Sequence, residues 1–134
     1  GLLLALARFG GAPCVVLADR EKLGQVLVNL LSNAVKFTPA VHPATGAPGR
    51  IVVSVATRRA EAAGDAPAPG GVVFLRVEDT GEGIPPERQA AIFEPFVQVR
   101  TRAASYASAT QGTGLGLTIA RDLARGMGGD LRVR

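Results

Sequence analysis

Hydrophobic positions recur at two different spacings along this chain, and the changes of spacing mark its elements. From Arg20 to about Phe37, Leu23, Val26, Leu27, Leu30, Leu31 and Ala34 recur at three- and four-residue steps, which predicts a helix with one buried face. Asp19 stands just before it, where its side chain can accept from the N–H groups two or three residues on. Thr38-Pro39 ends it. Ile51 to Thr57 alternates and is rich in β-branched residues, and Val72 to Val77 repeats the pattern, so both read as strands. The low-complexity segment between them (60–70, AEAAGDAPAPG) reads as a flexible hairpin connection, which makes the pair antiparallel. Leu117 to Met127 reads as a second helix, with Ile119, Ala120, Leu123 and Ala124 inward and Arg121, Asp122 and Arg125 outward. Gly128-Gly129 closes it.

The remaining runs are shorter. Residues 2–9 read as a short helix stopped by Gly10-Gly11 and Pro13. Residues 14–18 read as a buried strand, which would put Cys14 in the core. Pro86 to Ile92 reads as a short helix broken by Glu94-Pro95, with Phe93 and Phe96 packing the loop onto the domain. His42 sits in a loop of Pro, Gly and Ala and is expected to be exposed. Residues 97–111 have no strong period, hold two arginines, and read as a mobile lid. Asp130 to Arg134 reads as the start of a strand.

Composition narrows the class. With 134 residues and 47% hydrophobic positions, the chain is about one domain with enough apolar surface for a core. Fifteen Lys+Arg against 11 Asp+Glu give a net charge of +4, but the basic residues are spread out. That pattern argues against nucleic acid as a partner and leaves a modest field that attracts polyphosphates. The single cysteine cannot form an internal disulfide. No apolar run approaches the roughly 20 residues needed to cross a bilayer, and no membrane contact is expected from this domain.

Three features carry chemistry. Gln25, Asn29 and Asn33 follow one another at i, i+4, with Lys36 three further on, and form a polar ridge on an otherwise oily helix. A ridge of this kind is either a solvent face or a site. Asparagine favours helices less than Glu, Lys or Arg do, and its amide oxygen can ligate a hard cation such as Mg²⁺. Asp79 ends the second strand and begins Asp79-Thr80-Gly81-Glu82-Gly83-Ile84. This is either a plain turn or a carboxylate at a pocket rim, able to accept from an exocyclic amine such as adenine's. Gly112-Thr113-Gly114-Leu115-Gly116-Leu117 runs into the last helix. Glycines at alternate positions before a helix leave backbone N–H groups open to a phosphate.

In this order the segments resemble the ATP-binding, catalytic domain of bacterial sensor histidine kinases, within the Bergerat-fold (GHKL) superfamily. QVLVNLLSNAVKFT (25–38) is similar to the N box, DTGEGI (79–84) to the G1 box, IFEPFVQ (92–98) to the F box and GTGLGL (112–117) to the G2 box. MGGDL (127–131) is similar to the closing glycine segment. The resemblance covers the chain from about residue 14 onward. It implies an α/β (α+β) two-layer sandwich, with helices packed on one face of a mixed, mostly antiparallel sheet. It also implies one domain over 1–134 that is cut short at both ends, with 1–12 a helix stub and 99–111 an ATP lid.

The resemblance further implies that ATP and Mg²⁺ are bound. Asn33 would ligate the metal and Asn29 would support the same site. Lys36 would face the phosphates, and Phe37 would line the adenine side. Asp79 would accept from the adenine amine, with Gly81, Gly83 and Ile84 beside base and ribose. Gly112, Thr113, Gly114, Leu115, Gly116 and Leu117 would wrap the triphosphate. Arg100, Arg102 and Gln111 are lid candidates for the γ-phosphate. In the gyrase, chaperone and mismatch-repair branches the position of Asn29 resembles a glutamate general base. An amide cannot take that proton, so Asn29 favours transfer to a protein acceptor over hydrolysis.

The implied function is transfer of the γ-phosphoryl group to a histidine on a separate dimerisation and phosphoacceptor domain, in a parent homodimer with a response regulator downstream. No acceptor histidine stands in this chain, because His42 lacks the acidic and Thr/Asn-Pro context. A cytoplasmic location follows, in a parent that can carry a membrane anchor. Two other functions stay open at this level: a nucleotide-binding regulatory module without transferase activity, and a GHKL-type ATPase or serine kinase.

Overall fold

The computed structural model describes residues 3–8, 16–58, 71–98 and 113–134. Helix α1 (Arg20–Phe37) begins where its sequence directs it. Asp19 Oδ1 accepts from the N–H groups of Glu21 at 3.0 Å and Lys22 at 3.1 Å. These bonds satisfy two of the donors that every helix start leaves unpaired. At the other end the Thr38 N–H donates to the Ala34 carbonyl, and the extended backbone at Thr38 stops the helix.

Three strands form one sheet in the order β1-β2-β3. Strand β2 (Arg50–Arg58) is central, and β3 (Val72–Asp79) runs antiparallel to it, as the alternation predicts. The register sets Asp79 opposite Ile51, a fully buried side chain. Thr80 locks that end: its Oγ1 accepts from the Arg50 N–H at 2.9 Å and its own N–H donates to the Arg50 carbonyl at 3.0 Å.

Strand β1 (Leu3–Arg8) corrects the helix read over 2–9 and the helix stub over 1–12. It pairs parallel to β2, from Leu3 opposite Arg50 to Arg8 opposite Val55. A nearly uniform apolar run has no period to distinguish strand from helix, and six residues are too few for a helix to persist alone. An unpaired edge of β2 gives such a run its hydrogen bonds. With α1 as the crossover, β1-α1-β2 is a parallel unit followed by a hairpin, so the sheet is mixed.

Other expectations change as well. Residues 16–18 form no strand, and Val16 and Leu17 are exposed. Pro86 to Ile92 is not one helix but two single 3₁₀ turns, Pro86–Arg88 and Ala91–Phe93. His42 is half-buried, and its Nδ1 accepts from the Ala44 N–H at 3.3 Å. Residues 130–134 are irregular rather than a strand. The expectations for Cys14, for the 60–70 connection and for the lid at 99–111 lie outside the described residues.

Helix α2 (Gly116–Gly126) packs against α1 and against the second 3₁₀ turn, and α1 reaches β3. Among the described residues the buried hydrophobics are Val26 and Ala34 of α1, Ala120 of α2, Ile51 of β2, and Ile92. Alanines in both helices allow a close approach. Ile119, expected inward, is exposed. Arg121, expected outward, is half-buried instead, with its guanidinium 4.4 Å from the Phe93 ring centroid. The end of α2 is a Schellman turn: Gly128 has φ 78°, its N–H reaches the Arg125 carbonyl at 2.9 Å, and the Gly129 N–H reaches the Ala124 carbonyl at 2.9 Å. None of the described helices is long and apolar enough to cross a membrane.

Candidate functional site

The polar ridge of α1 meets the start of α2. Asn29 is half-buried, and its Nδ2 donates to the Gly116 carbonyl at 3.1 Å. Its Oδ1 accepts from Gln25 Nε2 at 3.3 Å. Asn33 lies one turn further along α1 and is also half-buried. Lys36 and Phe37 end the helix, with Lys36 Nζ 5.1 Å from the Phe37 ring centroid. The helix thus carries the Asn29 amide to the glycine segment, and its last residue, Phe37, lies with its backbone against the turn after β3.

The start of α2 is open to an anion. Its N-cap position is Leu115, which offers no side-chain hydrogen bond to the first-turn N–H groups. The described part of the segment bends through Gly114, at φ 73°. A Cβ there would stand 2.9 Å from the Phe96 backbone, so only glycine allows this approach. The Phe96 N–H donates to the Gly114 carbonyl at 3.1 Å, and Thr118 Oγ1 donates to the Phe93 carbonyl at 3.0 Å. The first of these bonds binds the Phe93–Phe96 turn to the glycine segment, and the second binds it to the first turn of α2. Phe96 does so through its backbone. Its ring is 73% exposed, which corrects the expectation that it packs the loop down.

The end of β3 builds the other side. Asp79 Oδ1 accepts from the Gly81 N–H at 2.8 Å, and among the described residues its second oxygen has no hydrogen-bond partner. A Cβ on Gly81 would lie 2.6 Å from the Phe37 carbonyl oxygen, so glycine lets this turn sit against the end of α1. Gly83 has φ 71°, and among the described residues nothing lies within 4 Å of an added Cβ. Ile84 is half-buried, and its carbonyl accepts from Gln89 Nε2 at 3.2 Å.

Most of the expected residues therefore lie on three adjoining segments. Asn29 and Gly116 touch, and the Asp79–Gly81 turn meets α1 at Phe37. No described contact joins Asn33 or Lys36 to the glycine segment. Thr113, Leu115 and Leu117 are described, whereas Arg100, Arg102, Gln111 and Gly112 lie outside the described residues. Thr118 and Arg121 were not anticipated. Their signal was present in the sequence only as polar residues within the expected helix, with nothing to pair them to Phe93.

The donors suit an adenine nucleotide in chemical type. An ionised carboxylate accepts from an amine, an uncapped helix start attracts phosphate, and amide oxygen is a hard ligand for Mg²⁺. Among the described residues no three of His, Cys, Asp and Glu gather as a candidate metal cluster.

Comparison with known proteins bears on the family and the fold. Over 128 residues the chain is 38% identical to the sensor protein TorS of Escherichia coli K12, covering 96% of this chain and 11% of TorS. It is 39% identical over 121 residues to the sensor histidine kinase RcsC of Escherichia coli K12, covering 90% of this chain and 10% of RcsC. The chain thus spans about a tenth of the length of these curated relatives. Among solved structures, the mycobacterial sensor histidine kinase MprB superposes with a TM-score of 0.68 at 28% identity, covering 99% of this chain and 69% of that one. A nucleotide-free catalytic domain of the histidine kinase ThkA gives 0.61 at 27% identity, covering 93% of this chain and 65% of that one. Residues 18–134 match the model of the histidine kinase-, DNA gyrase B- and HSP90-like ATPases, and the chain belongs to that ATP-binding family, on the side of its sensor histidine kinase relatives.

Proposed function

We propose that this chain is the catalytic domain of a two-component histidine kinase, which binds Mg-ATP and passes the γ-phosphoryl group to a histidine on a separate phosphoacceptor domain. The observation that carries this reading is the contact of Asn29 with the first residue of α2. It sets the amide ridge beside an uncapped helix start, and the ridge has an amide where hydrolysis would need a base. Asn29 uses its nitrogen on Gly116 and its oxygen on Gln25, so it holds the glycine segment and has no basic lone pair to activate water.

Asp79 would accept from the adenine amine through the oxygen that Gly81 does not engage. Phe37 and the Gly81–Gly83 backbone would border the base and ribose. Residues 112–117 would hold the phosphates, with Lys36 contributing positive charge. Asn33 would hold Mg²⁺, which supplies charge stabilisation for the transferring group. In the transfer, a neutral imidazole nitrogen of the acceptor attacks the γ-phosphorus. The bond from that phosphorus to the β,γ-bridging oxygen breaks, and ADP leaves with the electron pair. The acceptor domain, the homodimer that carries it, the response regulator downstream and a cytoplasmic location all belong to this proposal.

Calorimetry with Mg-ATP, followed by addition of a separate acceptor helix bearing histidine, tests it. Asp79→Asn and Asn33→Ala are each expected to abolish measurable binding, and phosphate is expected on protein only when the acceptor is present. Undiminished binding in both variants would refute the pocket assignment. Rapid ATP hydrolysis by the chain alone would place it with the ATPases instead.

A further inference from the structure

The polar ridge of α1 holds one residue that the proposed reaction does not use. Gln25 is exposed, and its Nε2 lies 3.3 Å from Asn29 Oδ1. Asn29 Nδ2 in turn lies 3.1 Å from the Gly116 carbonyl oxygen. The direction of this relay is set from its far end. A backbone carbonyl only accepts, so the Asn29 amide must present nitrogen to Gly116. Its oxygen then faces back along the helix by one turn, where only a donor satisfies it. The Gln25 amide is that donor. Without one, the bond to Gly116 is left alone to hold the Asn29 amide, whose final torsion is intrinsically broad.

We propose that Gln25 is a positioning residue that fixes the orientation of the Asn29 amide and, through it, the seat of Gly116 at the start of α2. The consequence for nucleotide binding rests on reading 112–117 as the phosphate site. The consequence for α2 itself does not. The role depends on donor direction rather than on shape. Glutamate at 25 keeps the length and the helix preference of glutamine but only accepts when ionised. It would draw Asn29 Nδ2 to itself and turn Oδ1 against the Gly116 oxygen. Lysine keeps a donor.

The test uses Gln25→Glu, Gln25→Lys and Gln25→Met, each alone and combined with Asn29→Ala. Two quantities are read: amide hydrogen exchange at Ile119 and Ala120 in nucleotide-free protein, and Mg-ATP affinity. Ile119 donates to the Leu115 carbonyl at 2.9 Å and so reports opening of the first turn of α2. Gln25→Glu is expected to speed exchange and weaken binding about fivefold, as for the loss of one ordinary hydrogen bond. Gln25→Met should do the same to a smaller extent, and Gln25→Lys should stay within about twofold of the unaltered chain on the same scale. In the Asn29→Ala background all three should be silent. Glutamate matching glutamine in exchange would overturn the proposal. So would a glutamate effect that persists undiminished with Asn29→Ala, because the added charge would then be acting directly. Failure of the unaltered chain to bind ATP would refute the nucleotide reading, while the exchange series would still decide the role of Gln25.

Discussion

Asn29 and Gly116 stand 87 residues apart in sequence and are joined by a 3.1 Å hydrogen bond from side-chain amide to backbone carbonyl. That bond links the amide ridge of α1 to the first residue of α2. A Cβ on Gly116 would sit 3.8 Å from Asn29 Oδ1, in ordinary contact, so the position is close without being sterically closed.

Asn29→Asp is therefore expected to do more harm than Asn29→Ala. Alanine removes the bond. Aspartate, which is nearly isosteric, sets a carboxylate oxygen against a carbonyl oxygen. Alanine should cost about 1 kcal/mol and aspartate about 2 kcal/mol, the difference reflecting an unmet acceptor pair. Chemical denaturation measures both. Equal stability of the aspartate variant and the unaltered chain would show that the link contributes nothing to the α1–α2 seam.

Gly81 and Gly83 are expected to fail for different reasons. Gly81 is confined by its neighbours, because an added Cβ would stand 2.6 Å from the Phe37 oxygen and 2.7 Å from Asp79 Oδ1. Gly81→Ala must displace the turn from α1, and Mg-ATP affinity should fall by more than about tenfold, the effect of misplacing a binding carboxylate. Gly83 is confined only by its φ of 71°, with nothing within 4 Å of an added Cβ. Gly83→Ala should cost about 1 kcal/mol, and Gly83→Asn less, because asparagine tolerates the left-handed region. Thermal melts of the three variants separate clash from strain.

Acid should destabilise the fold through Asp19 and Asp130. The Lys22 N–H is the largest influence on Asp19 and, against an opposing desolvation, holds its carboxyl below the ordinary 3.8. For Asp130 desolvation is largest and pushes upward, but the Leu131 N–H with Arg121 and Arg125 outweighs it, so that carboxyl too lies below 3.8. Arg121 Nε and Arg125 Nε each lie 3.3 Å from Asp130 Oδ1. A carboxyl with a depressed folded pKa contributes stability that is fully present above its unfolded pKa. That stability is lost as pH falls through the folded value. The melting temperature should hold steady from about pH 8 to 5 on this account and fall below about pH 4. The double variant Asp19→Asn, Asp130→Asn should melt lower at neutral pH and show a shallower acid fall. An unchanged acid fall in that variant would remove both residues from the account.

What was legible in the sequence was whatever has a period or a cap. Helix α1 with Asp19, the β2–β3 pair and the order of the glycine turns all have local signals. Strand β1 did not, because a run such as Leu2-Leu3-Leu4-Ala5-Leu6 serves either element and its partner lies 47 residues away in β2. Phe96 was misread for a related reason. A phenylalanine signals burial, but here the backbone makes the contact and φ is 64°, a conformation no side-chain pattern announces. The candidate site was legible as residue types, and only the fold supplied the pairings of Asn29 with Gly116 and of Phe93 with Thr118 and Arg121.

The Gly114–Phe96 contact yields the most local prediction. The Phe96 N–H reaches the Gly114 carbonyl at 3.1 Å, and the two backbones approach so closely that a Cβ on Gly114 would stand 2.9 Å from Phe96 Cα. Gly114 also needs a φ of 73°, so Gly114→Ala meets both strain and clash with rigid backbone. The contact fixes the Phe93–Phe96 turn against Gly114 at the start of α2. Thr118 Oγ1 on the Phe93 carbonyl and the Arg121 guanidinium over the Phe93 ring hold the same turn from the α2 side. Alanine at 114 should therefore detach the glycine segment from the Phe96 turn while leaving α2 packed on α1, with Ala120 buried. Mg-ATP affinity should fall at least about tenfold, as expected when backbone donors are displaced from an anion. Helix content by circular dichroism should stay unchanged. Gly128→Ala is the control: Gly128 has a similar φ of 78° but, among the described residues, nothing within 4 Å of an added Cβ, so it should show the strain in a melt and leave nucleotide affinity as it was. Equal affinity losses in the two variants would mean that strain alone, and not the Phe96–Gly114 contact, governs binding.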